Sequence, residues 1–158
     1  MKISILKGFS FGLTSGIITT LGLIFGLDSS TGSKMVIIGG VLTIAVADAF
    51  SDALGMHISE ESENKHSTKE IWESTISTFL AKFIFALTFI IPISIFSLPT
   101  ALIISAIYGL TVLALISYHM AKSQKTKPLH AIFEHVGIAL AVIFITHNVG
   151  DFINLFFN

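Results

Sequence analysis

Two aspartates within one apolar stretch are the residues whose type and spacing point most directly to chemistry. Asp48 and Asp52 lie four residues apart, and Met56 follows after four more. On an α-helix this spacing places all three side chains on one face. Two carboxylates and a thioether can bind a divalent cation, and a carboxylate pair can also exchange protons. The alternative is that both aspartates are protonated or hydrogen-bonded and only pack the bundle.

A second group of possible cation ligands follows in the segment 59–75. If this segment is helical, four of its side chains recur three or four residues apart and form one stripe. With a further glutamate just before them, the ligands are Glu60, Glu63, His66, Glu70 and Glu73. We predict that they collect cations below the two aspartates. The plainer interpretation is a solvated charged segment between two helices.

Two further groups of polar residues could line an ion path. Gly12 and Gly16, four residues apart with Ser15 between them, let a second helix approach closely. This pattern indicates either ordinary helix packing or a subunit interface that includes Ser15. His147 and Asp151 have the spacing of one helical turn, which fits a release site or proton exit as well as it fits a structural hydrogen bond.

These residues must be positioned by membrane-spanning helices. The chain is 53% hydrophobic and 12% charged, and its mean hydropathy of +0.85 is far above that of soluble proteins. Because a transmembrane helix needs about 20 apolar residues, the sequence predicts an all-α membrane protein with a single domain, residues 1–158. The five predicted helices are 5–27, 35–58, 76–96, 100–121 and 131–157.

The lysines predict how the helices are oriented. Placing the N-terminus in the cytoplasm puts eight of the nine lysines on that side, and short cytoplasmic loops are rich in such residues. The eight are Lys2, Lys7, Lys65, Lys69, Lys82, Lys122, Lys125 and Lys127, whereas Lys34 lies on the other side. We therefore expect a multi-pass protein with segment 59–75 in the cytoplasm and the C-terminus outside or in a lumen. In a prokaryote the membrane would be the plasma membrane.

Several classes of protein are excluded by what the sequence lacks. It has no cysteine, so thiolate metal sites and cysteine nucleophiles are ruled out. Its formal net charge of −1 provides no basic surface for nucleic acid. The sequence contains no His-Glu-x-x-His motif of the kind that indicates a zinc metalloprotease. We expect no enzymatic activity and no bound cofactor.

Two strings of residues resemble the vacuolar iron transporter family. The first is Gly-Leu-Thr-Ser-Gly at residues 12–16, with a later glycine at Gly26. The second is Ala-Asp-Ala-Phe-Ser-Asp-Ala-Leu-Gly-Met-His-Ile-Ser at residues 47–59, followed by Glu63. The resemblance implies a homodimer that exports Fe²⁺ or Mn²⁺ from the cytoplasm in exchange for protons. It also implies an ion path at the subunit interface and a metal-binding region between the second and third helices.

The chain departs from the family pattern at three positions of the ion path. Ser15 stands where the family typically has Asp, Asp52 where it usually has Met, and Met56 where it often has Glu. We expect a proton-coupled Fe²⁺ or Mn²⁺ transporter that dimerises through helix one. Its metal and proton path would use Ser15, the two aspartates, Met56, the segment 59–75 and finally the His147 and Asp151 pair. The alternative is a non-transporting metal-binding membrane subunit or sensor, which the missing helix-one carboxylate favours.

Overall fold

Helices account for nearly all of the chain in the computed structural model, which describes residues 2–157. They are α1 (Ile3–Thr31), α2 (Lys34–Ser62), α3 (Thr68–Thr88), α4 (Ile90–Ile95), α5 (Leu98–Ser123) and α6 (Pro128–Phe157). Because α4 continues the course of α3, these helices make five spans that are long and apolar enough to cross a membrane. No strand occurs in the described range. The predicted all-α fold with five membrane-spanning helices is confirmed.

Proline and glycine explain where two of the helices are interrupted. Pro92 has no backbone N–H, and its ring clashes with the carbonyl four residues earlier, which belongs to Thr88. This is the residue at which α3 ends, and α4 begins at Ile90. At the end of α1, Gly32 adopts a left-handed conformation with φ of 58°, and its N–H bonds to the carbonyl of Asp28.

The helices extend further than the hydropathy of the sequence indicates. The polar residues after position 27 belong to α1 rather than to a turn, because that helix continues to Thr31. The third helix begins at Thr68, not at residue 76, so only residues 63–67 of the predicted connection lie outside helices. The N-cap Ser67 and Glu70 form a reciprocal capping box that starts α3 well before its apolar part.

Helix α1 lies at the centre of the bundle and packs against α3 and α6, and also against α2 and α5. Its first glycines face α3, because a Cβ atom on Gly8 or Gly12 would overlap the backbone carbonyl oxygens of Ser74 or Thr78. A Cβ on Gly22 would lie 2.8 Å from a side-chain carbon of Val142 in α6. The glycine pattern therefore serves packing within the chain.

Lysines gather at the end of the bundle that carries the start of α1 and the α2–α3 and α5–α6 connections. We call this the lysine-rich end; its residues are Lys2, Lys7, Lys65, Lys69, Lys122, Lys125 and Lys127. Lys34 lies at the opposite end, at the start of α2. Lys82, predicted to lie among the cytoplasmic lysines, instead lies inside α3 and is buried.

Candidate metal site

Lys82 joins the two aspartates of α2 in a charge network between three helices. Its ammonium nitrogen lies 2.5 Å from Oδ2 of Asp48 and donates hydrogen bonds to Oδ2 of Asp52 and to Oγ of Ser15, the latter at 2.9 Å. The four residues come from α1, α2 and α3, and we call them the lysine–aspartate network. An ammonium between two carboxylates compensates much of the charge that α2 places inside the bundle.

Asp48 and Asp52 differ from Lys82 in how much of each side chain is exposed. Only 2% of the Lys82 side chain is exposed, whereas Asp48 retains 31% and Asp52 retains 20%. Both aspartates bind Lys82 through Oδ2, and within residues 2–157 neither carboxylate makes another hydrogen bond to a side chain or backbone group. One oxygen of each carboxylate is thus left for a further ligand.

The depth of the network follows from the lengths of the helices. At a rise of about 1.5 Å per residue, Asp48 lies about 20 Å from either end of α2, and Lys82 lies about 20 Å from the start of α3. Ionisable groups at such depth are rare in membrane helices and usually face other polar groups or a water-filled cavity. In this network the ion pairs between Lys82 and the two aspartates supply part of the polar surroundings that such groups need.

Local sequence explains why Lys82 can reach the aspartates. Gly16 of α1 lies against the Lys82 backbone and stem, and a Cβ there would come within 3.2 Å of the Lys82 Cα. The absence of a side chain at Gly16 lets α3 approach α1, so that the Lys82 ammonium reaches Ser15 and the aspartates. Sequence reasoning missed this residue because the third helix was predicted to begin at residue 76, which placed Lys82 near its cytoplasmic end. The sequence feature that indicates a role for Lys82 is its position as a single lysine within an apolar stretch.

Met56 lies apart from the network. It is 8% exposed and lines an open cleft of about 720 Å³ at the lysine-rich end, together with residues of α1, α5 and α6. The polar and sulfur-containing residues in this cleft include Lys7, Ser10, Thr14, His119, Met120 and His135. Neither aspartate lines this cleft, so the three residues predicted to share one helix face lie in two different environments.

A second charged cluster holds α1 against the end of α2. The Lys7 ammonium pairs with Glu60, which is 1% exposed, and lies 3.6 Å from Glu63. His66 Nε2 lies 3.5 Å from carboxylate oxygens of both glutamates. The Lys7 ammonium holds the pKa of the Glu63 carboxyl below its ordinary value, and a hydrogen bond from His66 acts in the same direction.

The predicted single stripe of ligands in segment 59–75 does not form, because residues 63–67 separate α2 from α3. Glu70 accepts hydrogen bonds from the backbone and hydroxyl of Ser67 as part of the helix cap. Glu73 pairs with Lys2 at 2.5 Å and accepts a hydrogen bond from Ser4 at 2.8 Å. Glu60, Glu63 and His66 are thus brought together, whereas Glu70 and Glu73 point to other partners.

The His147 and Asp151 pair lies at the opposite end of the bundle, where α6 packs on α1. His147 Nε2 is 3.6 Å from Oδ2 of Asp151, and both side chains are about half exposed. The Ser29 hydroxyl of α1 donates hydrogen bonds to Asp151 and to the backbone carbonyl of His147. These contacts tie α1 to α6 and leave the pair accessible.

The described residues contain no group of three or more histidine, aspartate and glutamate side chains arranged to hold a metal ion. In the lysine–aspartate network, the Lys82 ammonium lies between the two carboxylates that could bind a metal ion. A metal at Asp48 and Asp52 would need the free carboxylate oxygens or the place of the Lys82 nitrogen. Oxygen ligands of this kind suit hard and borderline divalent cations.

Comparison with known proteins finds a family match for the first part of the chain. Residues 6–71, which include all of α2 and nearly all of α1, match the sequence model of the VIT family. A search of curated proteins found no match to the chain. The match covers Ser15, both aspartates and Met56. The match supports the resemblance to the VIT, or vacuolar iron transporter, family, whose members are membrane metal ion transporters. The five apolar helices agree with a multi-pass integral membrane protein.

Proposed function

We propose that the protein exports Fe²⁺ or Mn²⁺ from the cytoplasm in exchange for protons. The observation that carries this proposal is the pair of partly exposed carboxylates, Asp48 and Asp52, at the middle of a helix that matches the family. Each ionisable group at this depth costs roughly 2.5 to 3.5 kcal/mol on insertion scales. Two carboxylates that only packed the bundle would be a costly choice where serine or threonine suffices.

The proposed path begins at the lysine-rich end. Cations collect near Glu60, Glu63 and His66, where His66 Nε2 lies 3.5 Å from both carboxylates; binding there requires Lys7 to leave the two glutamates and the three side chains to rearrange. They pass the end of α2 and are exchanged at Asp48 and Asp52, with protons returning through the same carboxylates. His147 and Asp151 are the proposed exit at the opposite end. Carboxylate, hydroxyl and imidazole ligands suit Fe²⁺ and Mn²⁺.

A homodimer supports this path better than a single chain. Asp48 and Asp52 are partly exposed on the surface of one subunit, and a carboxylate facing lipid tails would lack polar contacts. A second copy could cover these carboxylates and enclose water around them. Because the glycines of α1 contact α3 and α6, a dimer through α1 would use its remaining surface, where Phe11 is exposed.

Neutralisation of either aspartate tests the proposal. Asp48→Asn and Asp52→Asn should each abolish Mn²⁺ flux and the accompanying proton movement in liposomes, because the amide keeps the shape but removes the charge that binds the cation. The measurement uses a Mn²⁺-sensitive and a pH-sensitive dye inside the vesicles, with and without a pH gradient. Repetition with Fe²⁺, Co²⁺, Zn²⁺, Mg²⁺ and Ca²⁺ defines the substrate.

Glu134→Gln is the matched control, because Glu134 is an exposed carboxylate on α6 that makes no ion pair in the described structure. It should transport like the wild type. Unchanged flux in both aspartate variants, with normal assembly by size-exclusion chromatography, would contradict the proposed path.

A second candidate is a metal-binding subunit or sensor that does not transport. The observation favouring it is that Lys82 already occupies the carboxylate pair while Ser15 supplies no third carboxylate. Purified protein alone in vesicles separates the two candidates. A sensor would bind Mn²⁺ at Glu60, Glu63 and His66 without moving it across the membrane.

A further inference from the structure

We propose that Lys82 is a built-in competitor for the cation site, which admits divalent ions and excludes monovalent ones. The proposal rests on the function proposed above and specifies how its carboxylate pair selects cargo. The Lys82 ammonium lies 2.5 Å from Asp48 and is hydrogen-bonded to Asp52, where a bound cation would lie. Cargo therefore binds by displacing Lys82.

The buried position of Lys82 makes it a strong competitor. Lys82 is 1% exposed, its stem lies against Gly16 of α1, and its ammonium contacts both aspartates of α2. Because the ammonium is attached to α3, it forms its ion pairs without the loss of translational freedom that a free ion undergoes on binding. K⁺ or Na⁺ carries the same single charge as Lys82 and has no such advantage. Monovalent ions should therefore not displace it.

A divalent ion differs from Lys82 in charge. At the same distance from the same two carboxylates, its Coulomb attraction is twice that of a monovalent cation. It can also use the oxygen of each carboxylate that Lys82 leaves without a partner, and Ser15 can supply a neutral oxygen. Mn²⁺ or Fe²⁺ can thus outcompete the ammonium where K⁺ cannot.

Removal of the lysine charge should convert a selective site into a tighter and less selective one. In Lys82→Gln, Mn²⁺ should bind roughly tenfold more tightly than in the wild type when choline is the only other cation, since no ammonium competes. Exchange of choline for K⁺ at equal ionic strength should weaken Mn²⁺ binding to this variant severalfold and leave the wild type unchanged. Binding is measured on detergent-solubilised protein with a competing Mn²⁺ indicator.

Two further variants provide the controls. Lys34→Gln removes a lysine at the opposite end of the bundle, where its ammonium contacts the carbonyl of Ser94, and should behave like the wild type. Lys82→Arg retains the charge and should retain the insensitivity to K⁺. Wild-type affinity and K⁺ insensitivity in Lys82→Gln would overturn the proposal.

A measurement on the wild type covers the case in which Lys82→Gln does not fold. Mn²⁺ should raise the rate at which acetic anhydride modifies Lys82, measured by mass spectrometry with Lys34 as the internal reference, whereas K⁺ should not. Equal modification with and without Mn²⁺ would contradict displacement. This outcome, together with loss of Mn²⁺ flux in the aspartate variants, would reject the role of Lys82 and keep the proposed transport. Absence of wild-type flux would instead reject the transport.

Discussion

Ser15 leaves Lys82 facing two carboxylates instead of three. Its hydroxyl oxygen lies 2.9 Å from the Lys82 nitrogen, at the position where the family typically has Asp. The network then carries one ammonium and two carboxylates, with a neutral oxygen as the fourth member. A divalent ion that replaces the ammonium would balance the two carboxylates, so Ser15 sets how strongly the site attracts cations.

Ser15→Asp should strengthen the binding of divalent cations. A third carboxylate about 4 Å from the cation adds Coulomb attraction that outweighs its partial burial, so the Mn²⁺ concentration for half saturation should fall roughly tenfold. Equilibrium binding to the solubilised protein measures this change. Ser15→Asn, which is similar in shape but uncharged, should bind like the wild type. Weaker binding in Ser15→Asp would show that Ser15 is not beside the cation.

At the scale of elements, α1 is the helix on which the others are assembled. Its first glycines let the backbone of α3 approach, and this approach brings Lys82 of α3 to Ser15 of α1. The Thr78 hydroxyl of α3 donates a hydrogen bond to the carbonyl of Gly8 at 3.2 Å, across the same contact. Close packing of α1 and α3 is therefore a condition for the lysine–aspartate network.

Gly12→Ala should destabilise the protein because the added methyl group overlaps the carbonyl oxygen of Thr78. Overpacking of this kind typically costs about 1 to 3 kcal/mol, only partly offset by the better helix propensity of alanine. Thermal unfolding in detergent, followed by circular dichroism, should show a lower Tm. Gly39→Ala is the control, since nothing lies within 4 Å of its Cβ position, and its Tm should be equal or higher. Equal Tm values in both variants would contradict the close packing.

At the scale of the whole molecule, charge is distributed unequally between the two ends. Seven lysines lie at the lysine-rich end, with the Lys7, Glu60, Glu63 and His66 cluster, and Lys34 lies at the other. Lys82 is buried and belongs to neither end, so the lysines still lie mostly at the lysine-rich end. The lysine-rich end is thus expected in the cytoplasm.

Single cysteines test this orientation, because the natural chain has none. Met35→Cys places an exposed thiol at the end of the bundle where Lys34 lies, and Gln124→Cys places one in the α5–α6 connection. If the protein is in a plasma membrane, a maleimide that cannot cross membranes should label Met35→Cys in intact cells. It should label Gln124→Cys only after the cells are permeabilised. The reverse pattern would invert the proposed direction of transport.

Composition and local spacing along the chain are sufficient to predict the membrane-spanning fold and the family resemblance. Five apolar stretches are sufficient to predict five helices, because the bilayer requires internal backbone hydrogen bonding over a fixed length. The string containing Asp48, Asp52 and Met56 was sufficient for the resemblance, which the match over residues 6–71 supports. These features depend on composition and local spacing, which can be read without knowing which helices touch.

Only the tertiary structure showed what the aspartates contact. Lys82 is distant from Asp48 and Asp52 in the chain, and their contact depends on how closely α3 packs against α1 and α2. Met56 shares their spacing, but each step of four residues turns about 40° further around an α-helix, and Met56 lines the cleft toward α5 and α6. The contacts of Glu70 and Glu73 likewise depend on where α3 begins. Ion pairs between helices are set by packing distances and helix ends, and neither is encoded in the spacing along one helix.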